Sequence, residues 1–138
     1  MLPLDMAELM RMQEARVYSP GAYQIVLVVD DERPIADLVA AILSMSGYEP
    51  HVAYSGEEAL RLLDTIIPHL LISDVMMPGI GGVQLVMEFK KRCPECKVLL
   101  CSGAVSPQNA LEQLHMQGYD FKFLEKPFHA TELLRSIA

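Results

Sequence analysis

The chain has 138 residues, of which 51% are apolar, enough for a single domain to bury a core without disulfides or a structural metal. Eighteen acidic residues against eleven basic ones give a formal charge of −7 with no lysine–arginine stripe, which argues against direct nucleic-acid binding and suits contacts with other proteins. No stretch approaches the ~20 uninterrupted apolar residues of a membrane span, and Asp5 and Glu8 stand where a secretory signal would be basic, so a cytoplasmic protein without membrane insertion is expected.

Residues 1–24 read as an extension. Met6, Leu9, Met10 and Gln13 share one face of a helical stretch, and Ser19, Pro20 and Gly21 resemble a linker. This is either an adapter helix that docks on a partner or an extension of marginal helicity, since isolated helices of ~12 residues are barely stable in water.

From Ile25 the pattern alternates β-branched runs with amphipathic stretches five times, which predicts a parallel sheet with helices on both faces over 25–138. The strands are expected at Ile25 to Asp30, Pro50 to Ala53, Leu70 to Asp74, Lys97 to Cys101 and Phe121 to Leu124. Three of these are nearly continuous apolar runs, as a sheet covered on both faces requires. The first helix carries Ile35, Leu38, Val39, Ile42 and Leu43 behind a first-turn Pro34. The second starts at the capping pair Ser55 and Glu58, presents Ala59, Leu60, Leu63 and Ile67 on one face, and is stopped by Pro68. A third is expected from Val83 to Lys91. The fourth should begin at Ser106 and Pro107, with Leu111 and Leu114 inward and Gly118 ending it. The fifth spans Glu132 to Ile137. The fold class is therefore α/β in a single domain, and the form expected of it is a (βα)5 flavodoxin-like doubly wound parallel sheet, whose strand order would be 2-1-3-4-5.

All strands of a parallel sheet end on one edge, so Asp30, Asp31, Asp74, Ser102 and Lys126 converge there, and the crevice between strands one and three sets the acidic pair beside Asp74. Three neighbouring carboxylates repel one another unless a cation sits among them. Oxygen-only ligands favour magnesium over zinc. Taken singly these residues are unremarkable: an acidic pair after a strand is often a solvated cap, a lysine before a proline is usually a surface residue, and Ser102 with Gly103 can simply begin a turn. Cys93 and Cys96 form a C-x-x-C element, but it follows a helix and precedes a strand, which suits reduced loop cysteines better than a redox or zinc motif. His51, His69, His115 and His129 are scattered singly and suggest no metal site.

The segments VLVVDDE at 26–32, LISDVMMPG at 71–79, LLCSGA at 99–104 and FLEKPF at 123–128 resemble, in order and spacing, the signature segments of two-component response-regulator receiver domains of the CheY-like superfamily. The resemblance runs from about Ile25 to Ala138. It implies that Asp74 accepts a phosphoryl group from a histidine kinase or phosphotransfer protein. It further implies that Asp30 and Asp31, with Asp74 and the backbone carbonyl of Met76, hold Mg2+. Ser102, Phe123 and Lys126 then correspond to the phosphoryl-binding and switch positions, and Lys126–Pro127 is expected to be cis. The same resemblance implies a phosphorelay switch that is not an enzyme beyond its own phosphotransfer and autodephosphorylation. Its downstream effector is a protein, and a homodimer could form through the face of the fourth helix, fifth strand and fifth helix.

Several positions depart from the family's pattern. The loop after Pro78 reads GIGG where many relatives carry an aspartate before the last glycine, so the third helix lacks that side-chain cap. The stretch from Gly118 to Lys126 is one residue longer than the common form, and Phe123 lacks the hydroxyl of tyrosine variants. Met76 and Ala104 offer no polar group to orient an attacking water, so a long-lived phosphoryl state is expected. Met76 also stands where an aspartyl phosphohydrolase would carry its second aspartate. The alternative to the switch is a pseudo-receiver, a protein-interaction module not controlled by phosphorylation. Because the sequence stops after the fifth helix, either a stand-alone regulator or a receiver excised from a larger protein is expected.

Overall fold

The computed structural model describes residues 24–103 and 108–137. Five strands, Ile25–Val29 (β1), Glu49–Ala53 (β2), Leu70–Asp74 (β3), Lys97–Ser102 (β4) and Lys122–Glu125 (β5), alternate with five helices. These are Arg33–Met45 (α1), Gly56–Leu62 (α2), Gly82–Arg92 (α3), Gln108–Met116 (α4) and Ala130–Ile137 (α5). The sheet is parallel throughout in the order β2-β1-β3-β4-β5, as the sequence pattern predicts.

Period-two alternation along each strand sends neighbouring residues to opposite faces, and both faces are covered. Val26 and Val28 of β1, with Ile72 and Leu99, pack against Val39 and Leu43 of α1 and Leu133 and Leu134 of α5. Leu27 and Val29, with Leu71 and Leu100, pack against Ala59 of α2, Leu85 and Phe89 of α3 and Leu114 of α4. The continuous apolar strands are thus explained: a residue facing either way meets a helix. Fully burying each such leucine or phenylalanine stabilises the fold by about 1.5–3 kcal/mol.

Helix starts follow local chemistry. Pro34 sits in the first turn of α1, and Ser55 caps α2 by accepting from the Glu58 amide at 3.1 Å. In α5 the Glu132 carboxylate accepts from the His129 amide at 3.1 Å, so that helix opens at Ala130, two residues before its expected start.

The main departure is α2, which ends at Leu62 rather than running on to Pro68. The Thr65 hydroxyl donates to the Leu62 carbonyl at 3.0 Å, closing the last turn, and Pro68 disfavours a helical Ile67. Ile67 is consequently 75% exposed instead of facing the core. Strand β5 is displaced by one residue from expectation, and Phe121 instead stacks on Tyr119 with ring centroids 5.5 Å apart. The C-x-x-C cysteines are free thiols at the end of α3; Cys96 donates to the Pro68 carbonyl at 2.8 Å, and burial pushes its thiol up to about 11. The expectations for residues 1–23, and for Ala104, Ser106 and Pro107, lie outside the described residues.

Candidate functional site

The strand register assembles the site. Val29 pairs with Ser73 and Asp74 with Cys101, so Asp30, the next residue after β1, lies beside Asp74 at the end of β3. Ser102 pairs with Glu125, and the amide of Lys126 donates to the Ser102 carbonyl at 2.7 Å, placing Lys126 at the same edge. Asp30, Asp74, Ser102 and Lys126, far apart in sequence, are thereby gathered where the strands end.

Asp30 is 5% exposed and has two separate tasks. Its Oδ1 accepts from the Glu32 amide at 2.9 Å, shaping the turn into α1, and its Oδ2 receives the Lys126 ammonium at 2.5 Å. Lys126 also donates to Asp74 Oδ2 at 3.2 Å and stands 3.9 Å from Glu32 Oε1. Asp74, 7% exposed, accepts a longer bond from the Met76 amide at 3.4 Å. The exposed Asp31 completes a group in which one carboxylate oxygen from each of the three aspartates lies within 4.8 Å of the other two.

This crowding decides the protonation behaviour. Burial raises the Asp74 pKa above the ordinary carboxylate value, and the Asp30 charge adds to that, while Lys126 opposes it without prevailing. For Lys126 burial pulls the ammonium down, but its bonds and charge interactions with Asp30 and Asp74 outweigh this, and its pKa is raised. The neighbouring Cys101 thiol is pushed up to about 12 by burial, so it stays protonated and is not a nucleophile.

The donor set is all oxygen, hard and anionic, which fits Mg2+ held by two or three carboxylates with water and phosphate oxygens completing an octahedron. Met76 is 52% exposed, and its amide, donating to Asp74, keeps this stretch of backbone beside the cluster, where its carbonyl could join the set. Ser102 is fully buried at the end of β4. Phe123 stands apart on the edge strand β5, opposite Leu100 and 36% exposed, so it is not gathered with the charged residues. Lys126–Pro127 is cis, as the resemblance implies.

Two participants escape the sequence reading. Glu32, 3.9 Å from the Lys126 ammonium, closes the VLVVDDE segment but is given no role by the sequence reading. Glu57, in the first turn of α2, accepts from the Ile80 amide at 2.7 Å across 23 residues of chain. Only its position beside the Ser55–Glu58 cap hinted that it starts a helix; nothing in the sequence indicates the loop it reaches.

Comparison with known proteins agrees with this geometry. An NtrX-like response regulator of Rickettsia bellii is 34% identical over 111 residues, covering 79% of this chain and 23% of that protein. The chain therefore spans about a quarter of the length of the curated relatives it matches. Chemotaxis protein CheY4 of Vibrio cholerae superposes with a TM-score of 0.75 at 30% identity, covering 84% of this chain and 97% of that one. A receiver domain of Methanospirillum hungatei gives 0.75 at 26% identity over 83% and 90% of the two chains. NtrX from Brucella abortus, solved in complex with ATP, gives 0.72 at 36% identity over 80% of this chain and 25% of its own. The profile of the response regulator receiver domain matches residues 26–138, and with sheet order, carboxylate cluster and lysine in agreement, the chain belongs to the response regulator receiver domain family.

Proposed function

We propose that the protein is a phospho-accepting switch of a phosphorelay, in which Asp74 receives a phosphoryl group from the phosphohistidine of a kinase or phosphotransfer protein. The observation that carries this reading is the Lys126 ammonium shared between Asp30 and Asp74, within a cluster of three carboxylates. One carboxylate oxygen of Asp74 attacks phosphorus in line; the bond from phosphorus to the donor imidazole nitrogen breaks and its electron pair stays with the imidazole. Lys126 swings from the carboxylate toward an equatorial phosphoryl oxygen, and Ser102 offers its hydroxyl to another. Asp30, Asp31, Asp74 and the Met76 carbonyl would hold Mg2+, which would supply charge neutralisation for the transferring group. The resident chemistry is limited to gaining and losing this group, so the protein is not an enzyme acting on a separate substrate.

Phosphorylation adds negative charge at one edge of the sheet. In this reading Ser102 and Phe123 move with it and change the face formed by α4, β5 and α5, on which a downstream protein effector or a second copy docks. A cytoplasmic setting follows from the kinase partner; no described helix is long and apolar enough to cross a membrane.

Intact mass after incubation with acetyl phosphate and Mg2+ tests the proposal. Wild type is expected to gain one phosphoryl group only with Mg2+, and Asp74→Asn none. Folded wild-type protein that gains nothing would point instead to a pseudo-receiver.

A further inference from the structure

We infer that Glu57 is a positioning residue for the phosphoryl-accepting site, acting through the β3–α3 loop that carries Met76; this rests on the phospho-acceptor reading above. The loop, residues 75–81, leaves β3 directly after Asp74. Its base is tied down by the Val75 amide on the Cys101 carbonyl at 2.9 Å and the Gly82 amide on the Val75 carbonyl at 3.0 Å. Its far side has no such support from its own sequence. The N-cap of α3 is Gly81, which makes no side-chain bond, and Gly79, Gly81 and Gly82 are the residues that lose most conformational freedom on ordering.

Glu57 supplies from another element what the loop lacks. Its Oε1 accepts from the Ile80 amide at 2.7 Å, a charge-assisted bond in a half-buried position. The surroundings are shaped to that contact from both sides. A Cβ on Gly56 would come within 2.5 Å of the Ile80 carbonyl oxygen, so only glycine lets α2 approach the loop this closely. Gly79, at φ +72°, lies against the same carboxylate, where a Cβ would be 2.8 Å from Oε1. Two glycines, one on each element, thus admit one carboxylate bond that joins α2 to the loop. The loop in turn sets the Met76 carbonyl relative to Asp74, so fixing its far side pre-organises a ligand that would otherwise be ordered only when Mg2+ binds.

The test compares Glu57→Gln, which keeps an acceptor, with Glu57→Met, which keeps the stem but removes the oxygen, and Glu57→Ala. Mg2+ affinity by calorimetry, phosphoryl gain from acetyl phosphate by intact mass, Ile80 amide exchange and the urea midpoint are read on each. Glu57→Met and Glu57→Ala are expected to weaken Mg2+ binding and slow phosphoryl gain about tenfold, with faster Ile80 exchange, while Glu57→Gln stays close to wild type. Gly81→Asp fits sterically, since φ is −77° and a Cβ there meets nothing nearer than the Val75 carbonyl oxygen at 3.8 Å. Placed in the Glu57→Met background, it restores a carboxylate cap to the loop and should recover part of the Mg2+ affinity. Wild-type behaviour of Glu57→Met overturns the inference, as does a loss equally large in Glu57→Gln that only tracks the urea midpoint. If wild type itself neither binds Mg2+ nor gains a phosphoryl group, the phospho-acceptor reading falls, and the positioning role falls with it.

Discussion

Asp74 and Lys126 show how one pair of residues couples chemistry to stability. The raised pKa of Asp74 comes mainly from its burial, so its folded form holds a proton more tightly than the unfolded chain does. Stability from this group is then greatest at low pH and is withdrawn as pH rises from about 4 through the folded pKa. The raised pKa of Lys126 works in the opposite range: its contribution is intact at neutral pH and lost only as pH climbs above about 10 through its folded value. Asp74→Asn removes the cost of ionising a buried carboxylate and should raise the thermal midpoint at pH 7 by a few degrees without Mg2+. Thermal scans should show that advantage shrinking toward pH 4 and vanishing in millimolar Mg2+, which compensates the wild-type charges. Met76 gives a second prediction at this scale. Its thioether cannot orient a water, so Met76→Asn is expected to shorten the phosphoryl lifetime, followed as decay of the phosphorylated mass after donor removal.

At the scale of the element, capping decides where helices begin and short-range competition decides where they stop. Ser55 satisfies the Glu58 amide at the start of α2, and Ser55→Ala should lower stability by about 1 kcal/mol in urea unfolding. Because α2 also presents Glu57 to the β3–α3 loop, that loss should be accompanied by faster exchange at Ile80. The premature end of α2 shows the limit of periodicity: Ile67 keeps the helical phase of Ala59, Leu60 and Leu63, yet Thr65 and Pro68 close the helix before it is reached. Likewise α5 starts two residues early, at the Glu132 back-bond to His129, a side-chain contact that an apolar stripe does not reveal.

For the whole molecule, burial on both faces of the sheet predicts where mutations are felt. Phe89, fully buried under the sheet with Leu27 and Leu100, should cost about 3–5 kcal/mol as Phe89→Ala, by cavity and lost transfer energy together. Ile67→Ala, the same class of change at an exposed site, should stay within about 0.5 kcal/mol. Denaturant midpoints of the two variants check both.

By itself the sequence determined the parallel doubly wound sheet, because buried strands need continuous apolar runs and right-handed crossovers leave few other topologies. It also determined the convergence of Asp30, Asp31, Asp74, Ser102 and Lys126, since strand ends must share an edge. Only the tertiary structure decided that Lys126 bridges Asp30 and Asp74, that Phe123 stands outside this cluster, and that Glu57 supports a glycine loop 23 residues away. Periodicity records which face of an element is buried, whereas these contacts depend on side-chain reach between elements that the chain brings together only on folding.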